Sequence, residues 1–169
     1  MEALEAIKGR RSIRSYESRE IPEEKLMQVL EAGRWAPSAS NFQPWKFIVV
    51  KDEKVRKELA QVSTYGKFMT QAPVAIAVVI DPQGSNHPVE DGAAATQNML
   101  LAACALGLGS CWTGSYGSVY EDKAKKILGI PEDKRLLSLI SLGYAAEKGG
   151  STRRPLKEMV CYDHYAWRS

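Results

Sequence analysis

Three arginines and a serine fall within five positions of GRRSIRSY (residues 9–16): Arg10, Arg11, Ser12 and Arg14. Guanidinium groups donate paired, charge-assisted hydrogen bonds of the geometry that a phosphate accepts. In an extended segment alternate side chains share a face, so Arg10, Ser12 and Arg14 would point the same way and could grip one dianion. The same string also suits a solvated basic turn, and alone it does not choose between the two. Arg153 and Arg154, ahead of Pro155, carry the same pair of readings.

The stretch PSASNFQPW (residues 37–45) is the second candidate. Two prolines bracket small and amide-bearing residues, which is too stiff for a linker and too elaborate for a plain turn. Small residues let backbone come close to a ligand, and Asn41 and Gln43 offer amide groups. The competing reading is a stiffened turn whose Trp45 packs in the core. GLGSCWTG (residues 107–114) supplies the glycine pair Gly107 and Gly109. A Rossmann fingerprint needs its glycines after a strand and opening a helix, whereas this string follows a helix. Gly107 reads equally well as a helix end. No Walker A loop is present.

Metal and nucleophile chemistry find little support. His87 and His164 are far apart, and the lone CxxH of Cys161 and His164 is better read as surface tail than as ligand set. Cys104, Cys111 and Cys161 lack CxxC spacing, which argues against a zinc site or a disulfide framework, and the first two read as small core residues. No Ser-His-Asp order can be argued, so no catalytic residue and no metal ligand is assigned.

The elements that must position these groups follow from hydrophobic patterning. At 169 residues and 44% hydrophobic, residues 1–169 suit one α/β-type domain. Helices are expected over 2–9, 21–33, 53–62 and 89–106, and strands over 46–51, 74–81 and 136–144. In the second helix Pro22 suits the first turn, with Leu26, Val29 and Leu30 on one face. VAIAVVID (74–81) looks buried on both faces. Helix 89–106 is apolar around most of its circumference and nearly uncharged from Ala93 to Leu108, which suits a domain centre or a subunit interface. It is too short and too interrupted for a membrane span. A net charge of +3 is too small to imply nucleic acid. Glu2, Glu5 and Lys8 interrupt any signal-type apolar region, so a cytoplasmic location is expected.

Taken in order, RRSIR, PSASNFQPWKFIVV, GLGSCWTG, SLGY and RRPLKE resemble the FMN-dependent nitroreductase family over nearly the whole chain. The PSxxNxQPW stretch is the most specific part. The resemblance implies an α+β fold with a mixed, mainly antiparallel central sheet flanked by helices, and an intertwined homodimer with FMN at the subunit interface. It implies that Arg10, Arg11, Ser12 and Arg14 meet the FMN phosphate and ribityl chain, with Arg153 and Arg154 adding to the phosphate site. Pro37, Ser38, Ala39, Ser40 and Asn41 would come from the other subunit and lie along the isoalloxazine ring, with Gln43 positioning that loop. Backbone N–H groups near Thr113 and Gly114 would approach the flavin N5 and O4 edge.

The reaction implied is ping-pong transfer of hydride from NADH or NADPH, via FMN, to a small-molecule acceptor such as a nitroaromatic or quinone. The protein's part is then to bind, orient and tune the flavin. The chain is short for the family, leaving little room for helices over the active site, and Tyr65 to Phe68 do not match the family's ribityl contacts. A different flavin reaction on the same fold (dehalogenation, enone reduction or flavin fragmentation) stays open. So does a non-catalytic FMN or nucleotide-binding module, though only Tyr16 supplies an aromatic near the basic cluster.

Overall fold

An uninterrupted apolar run needs cover on both faces, and the run beginning at Val74 receives it. In the computed structural model, which describes residues 1–165, the chain order is α1 (Ala3–Gly9), α2 (Glu23–Arg34), β1 (Trp45–Val50), α3 (Glu53–Val62), β2 (Val74–Ile80), α4 (Pro88–Ala105), β3 (Gly109–Gly114), α5 (Glu121–Leu128) and β4 (Arg135–Gly143). Single 3-10 turns lie at Ala39–Asn41, Lys67–Thr70 and Leu156–Glu158. The four strands form one sheet in the order β1-β2-β4-β3, every neighbouring pair antiparallel. The parallel element is an isolated bridge between Ser12 and Ser110.

On one face of the sheet Val74, Ile76, Val78 and Ile80 pack with Leu26 and Val29 of α2 and with Met99, Leu100 and Ala103 of α4. On the other, Ala75, Ala77 and Val79 pack with Leu59 and Ala60 of α3 and Ala124 of α5. This double cover is why β2 is apolar throughout and β4 mostly so, rather than alternating. A register shift between Val78 and Val79 marks a bulge in β2.

Helix α4 lies close to the sheet at its first turn. A Cβ at Gly92 would fall 2.6 Å from Ile80 Cγ2 and 2.7 Å from Leu137 Cδ2, so only glycine permits this approach. The helix ends in a Schellman motif: Leu108 N–H donates to Ala103 O at 2.8 Å and Gly107 N–H to Cys104 O at 3.1 Å. Gly107, at φ 74°, is therefore the helix end and turns the chain into β3.

Four expectations need correction. Helix α4 is buried towards the sheet and towards α2 but not all round, since Ala94 and Leu101 are half-buried and Gln97 is exposed in the single chain. Pro22 stands at the N-cap of α2, one residue before the first turn. Cys111 is buried as a core residue, but Cys104 only partly so. Strand β3 and helix α5 were not foreseen. Among the described residues no helix is long and apolar enough to cross a membrane.

Candidate functional site

The chain leaves α1 at Arg10 in an extended conformation, φ −57° and ψ 131°. Ile13 is buried, and its N–H donates to Ser110 O at 3.0 Å, which ties the segment alongside the start of β3. Tyr16, also buried, donates its hydroxyl to Ile13 O at 2.7 Å and pairs with Ser141 Oγ at 2.7 Å. Burial pushes the Tyr16 phenol well above its ordinary pKa, so it stays a neutral anchor. With Ile13 turned inward, alternation leaves Ser12 and Arg14 on the opposite side, Ser12 half-buried and Arg14 exposed. Arg11 departs from this row. Its Nη1 donates to the carbonyls of Lys8 at 2.6 Å and Arg10 at 2.8 Å, closing the end of α1.

Two further groups face the row. Arg14 donates its backbone N–H to Glu147 Oε1 at 2.5 Å, and its guanidinium stands 5.9 Å from the Phe68 ring centre. Cys111 lies beneath; burial raises its thiol pKa against the pull of Arg14, Ser12 and Arg10, so it is a core thiol and not a nucleophile.

Strand β3 links this row to a second position. Gly109 serves close packing. A Cβ there would sit 3.0 Å from Ile13 Cγ2 and 3.1 Å from Ala145 Cβ, so its role is close packing of β3 on the basic segment. Thr113 is buried and Gly114 exposed, and a Cβ at Gly114 would meet nothing within 4 Å, which leaves the backbone open on that side. From Ser110, paired with Ser12, to Gly114 is four strand residues, about 13 Å. The turn beyond is clamped. Tyr120 donates its hydroxyl to Gly114 O, and the Glu121 carboxylate accepts Gly117 N–H at 2.7 Å, Leu136 N–H at 3.1 Å, and Arg135 Nε and Nη2 each at 2.7 Å. Burial alone would raise the Glu121 pKa, but these donors outweigh it and hold the carboxyl below its ordinary range.

The loop of residues 37–45 is strained. Ser40, Asn41 and Gln43 have φ of 47°, 58° and 51°, a left-handed backbone that serine and glutamine rarely adopt. The loop closes on itself: Asn41 N–H donates to Ser38 O at 3.0 Å, Gln43 N–H to Ser38 Oγ at 2.9 Å, and Gln43 Nε2 to Asn41 Oδ1 at 3.1 Å. It is fastened to the body where Ala39 N–H donates to Asp91 Oδ1 at 2.9 Å. Trp45 is half-buried at the start of β1, not a core residue, and Phe42 is exposed.

These two regions lie at opposite ends of α4. The loop meets its first turn at Asp91, and the basic row lies alongside Ser110, just beyond its last turn. An 18-residue helix is about 27 Å long, more than one mononucleotide spans. Arg153 and Arg154 ride on an exposed C-terminal arm, where Arg153 Nη1 donates to Ser151 Oγ at 2.9 Å and Thr152 O at 2.8 Å. The arm begins beside the basic row, since a Cβ at Gly149 would lie 2.6 Å from Arg11 Cβ.

The model of the nitroreductase family matches residues 7–65 and 61–144. The chain belongs to the nitroreductase family. A protein of Archaeoglobus fulgidus, provisionally named NADH dehydrogenase/NAD(P)H nitroreductase, is 44% identical over 152 residues, which is 87% of each chain. An FMN-dependent nitroreductase of Clostridium difficile R20291 superposes with TM-score 0.89 at 31% identity, covering 96% of this chain and 99% of its own. A provisionally named nitroreductase of Desulfovibrio desulfuricans, solved in complex with FMN, superposes with TM-score 0.86 at 34% identity, covering 98% and 99%.

For this member of the nitroreductase family, sequence reasoning missed Asp91, Tyr120, Glu121 and Glu147. Glu121 had a local signal in the acidic first turn of α5 that follows the GSCWTG string. Asp91 and Glu147 had none, because their partners Ala39 and Arg14 are 52 and 133 positions away.

Proposed function

We propose that this nitroreductase-family chain is an FMN-dependent NAD(P)H oxidoreductase that acts as a homodimer, with each flavin held between subunits. Bound FMN would supply the redox chemistry between NADH or NADPH and a nitroaromatic, quinone or similar acceptor, in ping-pong order. The residues present fit such a group. Arg10, Ser12 and Arg14 offer cationic and hydroxyl donors for a phosphate, and Arg153 and Arg154 lie on an arm that starts beside them. The open backbone at Gly114, next to the buried Thr113, stands about 13 Å along β3, which suits the distance from a phosphate to a ring edge. The stiff loop Pro37 to Asn41 provides a flat wall, with Gln43 bracing it.

The observation that carries the reading is the separation of these two half-sites by the length of α4. On this reading the loop shares a flavin with the basic row of a second copy and not with the row of its own chain. The half-exposed side of α4 supports pairing. So does the arm, whose Leu156 and Tyr162 are 74% and 85% exposed in the single chain.

No side chain is assigned as acid or base, and the chain's own work is to bind, orient and keep the ring edge beside fixed donors. The test is direct. Purified protein should be yellow, bleach anaerobically with NAD(P)H, recolour on adding an acceptor, and give parallel double-reciprocal plots. A colourless preparation that takes up no FMN on reconstitution would sink the reading.

A further inference from the structure

We propose that Asp91 is a positioning residue for the ring-facing loop: it holds Ala39 to Gln43 in their strained conformation before any flavin arrives. The inference rests on the flavin reading above and adds to it a residue that touches neither ring nor phosphate. Three residues without glycine's freedom sit at positive φ within four positions, so this segment, if released, would relax to other conformations. Its internal bonds, from Ser38 to Gln43, fix the shape of the loop but not its orientation to the body. Orientation comes from two points. Asp81 N–H donates to Pro44 O at 2.8 Å where the loop runs into β1, and Ala39 N–H donates to Asp91 Oδ1 at 2.9 Å within the strained part itself.

The carboxylate is mounted rigidly. Asp91 is only 5% exposed, and its second oxygen accepts the Ser85 hydroxyl at 2.5 Å, while Ser85 Oγ accepts His87 N–H at 3.0 Å. The next residue, Gly92, seats the helix directly on Ile80 and Leu137. One side chain thus ties the loop to Ser85, from a helix position that its neighbour Gly92 seats on the sheet. A buried carboxylate is a poor choice for packing alone. As an acceptor for one particular backbone N–H it gives a short, directional bond that an apolar residue cannot.

An acidic residue in the first turn also favours a helix through its dipole, and the test must separate that role from positioning. The full-length protein would be compared with Asp91→Ala, with Asp91→Asn, which keeps an acceptor oxygen for Ala39, and with Ser85→Ala. Two readouts are taken: exchange of the Ala39 amide hydrogen in flavin-free protein, and the affinities for FMN and riboflavin. Asp91→Ala should speed exchange at Ala39 and weaken both flavins by the same factor, about tenfold for one lost charge-assisted bond, with Asp91→Asn largely restoring both. Should the alanine variant fail to fold, Ser85→Ala, which frees the carboxylate to swing, should show the same pattern in smaller measure. Unchanged exchange at Ala39 in these variants would overturn the inference whatever the flavin does. A loss confined to FMN would also overturn it, since it would place the effect at the phosphate. Fast exchange in the variant beside a parent that binds neither flavin would overturn the flavin reading and, with it, the ring-facing role.

Discussion

Replacing Arg14 with glutamine tests the phosphate end of the site with little disturbance to the fold. The bond that fixes this residue in place runs through its backbone N–H to Glu147 Oε1 and survives the substitution. What is lost from the free chain is the contact of the guanidinium with the Phe68 ring at 5.9 Å, worth roughly 0.5–1 kcal/mol at an exposed position. Hydrogen bonds to charged groups contribute about 1.5–3 kcal/mol, which corresponds to roughly 10- to 150-fold in affinity. Arg14 is exposed in the single chain and has the Glu147 carboxylate beside it, so the lower end, about tenfold, is expected for FMN. Riboflavin lacks the phosphate and should bind parent and variant alike. Both flavins would be titrated into apo protein by fluorescence quenching at low and high salt, and the FMN loss should shrink at high salt. Equal losses for the two flavins would refute the assignment and make Arg14 a support for the ring or its loop. No response from either would leave GRRSIRSY as a solvated basic turn.

Two further predictions concern the frame around the site. Gly92→Ala places a Cβ 2.6 Å from Ile80 Cγ2; overpacking costs about 1–3 kcal/mol and better helix propensity returns about 1, so calorimetry should show Tm lower by up to roughly 8 °C, and a raised Tm would contradict the packing argument. Glu121 has a folded pKa below its unfolded value near 4.3, so its stabilising contribution is present above that pH and fades as pH falls through the folded value. Glu121→Gln should therefore lose stability to urea at about pH 7 and less relative to the parent once the pH is below about 4; equal losses at both pH values would reject the charge as the cause.

The sheet-forming runs were legible because burial on both faces leaves little alternation to misread: β2 is apolar from end to end, and β4 is interrupted after Arg135 only by the small residues Ser138 and Ser141. Strand β3 was hidden. GSCWTG holds two glycines, a serine and a threonine, a composition that favours a turn, and its pairing comes from β4, some thirty residues on. Helix α5 was missed for a different reason. It is eight residues long, near the shortest that a periodicity argument can use, yet its acidic first turn, its basic last turn and Gly129 at φ 65° are all ordinary helix signals. Reading caps before periodicity would have found it.

The site divides in the same way. The basic row was legible because alternation in an extended segment is a local property, and Ile13 at its centre supplies the buried side that keeps Ser12 and Arg14 on the other. Arg11, expected beside that row, donates its guanidinium to the end of its own helix in the single chain, since a guanidinium next to unsatisfied terminal carbonyls finds partners there. The strain in the loop could not be read. Of Ser40, Asn41 and Gln43 only asparagine is at home in the left-handed region, and the carboxylate that holds the loop is supplied from 52 positions away. On the proposed reading this has a thermodynamic consequence. Each chain carries two parts of different sites, one at each end of α4, so the part that holds the phosphate and the ring edge lacks the loop that covers the ring, and the loop lacks the phosphate donors. Flavin binding and subunit pairing then favour each other by linkage, and dilution that separates the subunits should release the flavin, just as added FMN should hold the subunits together.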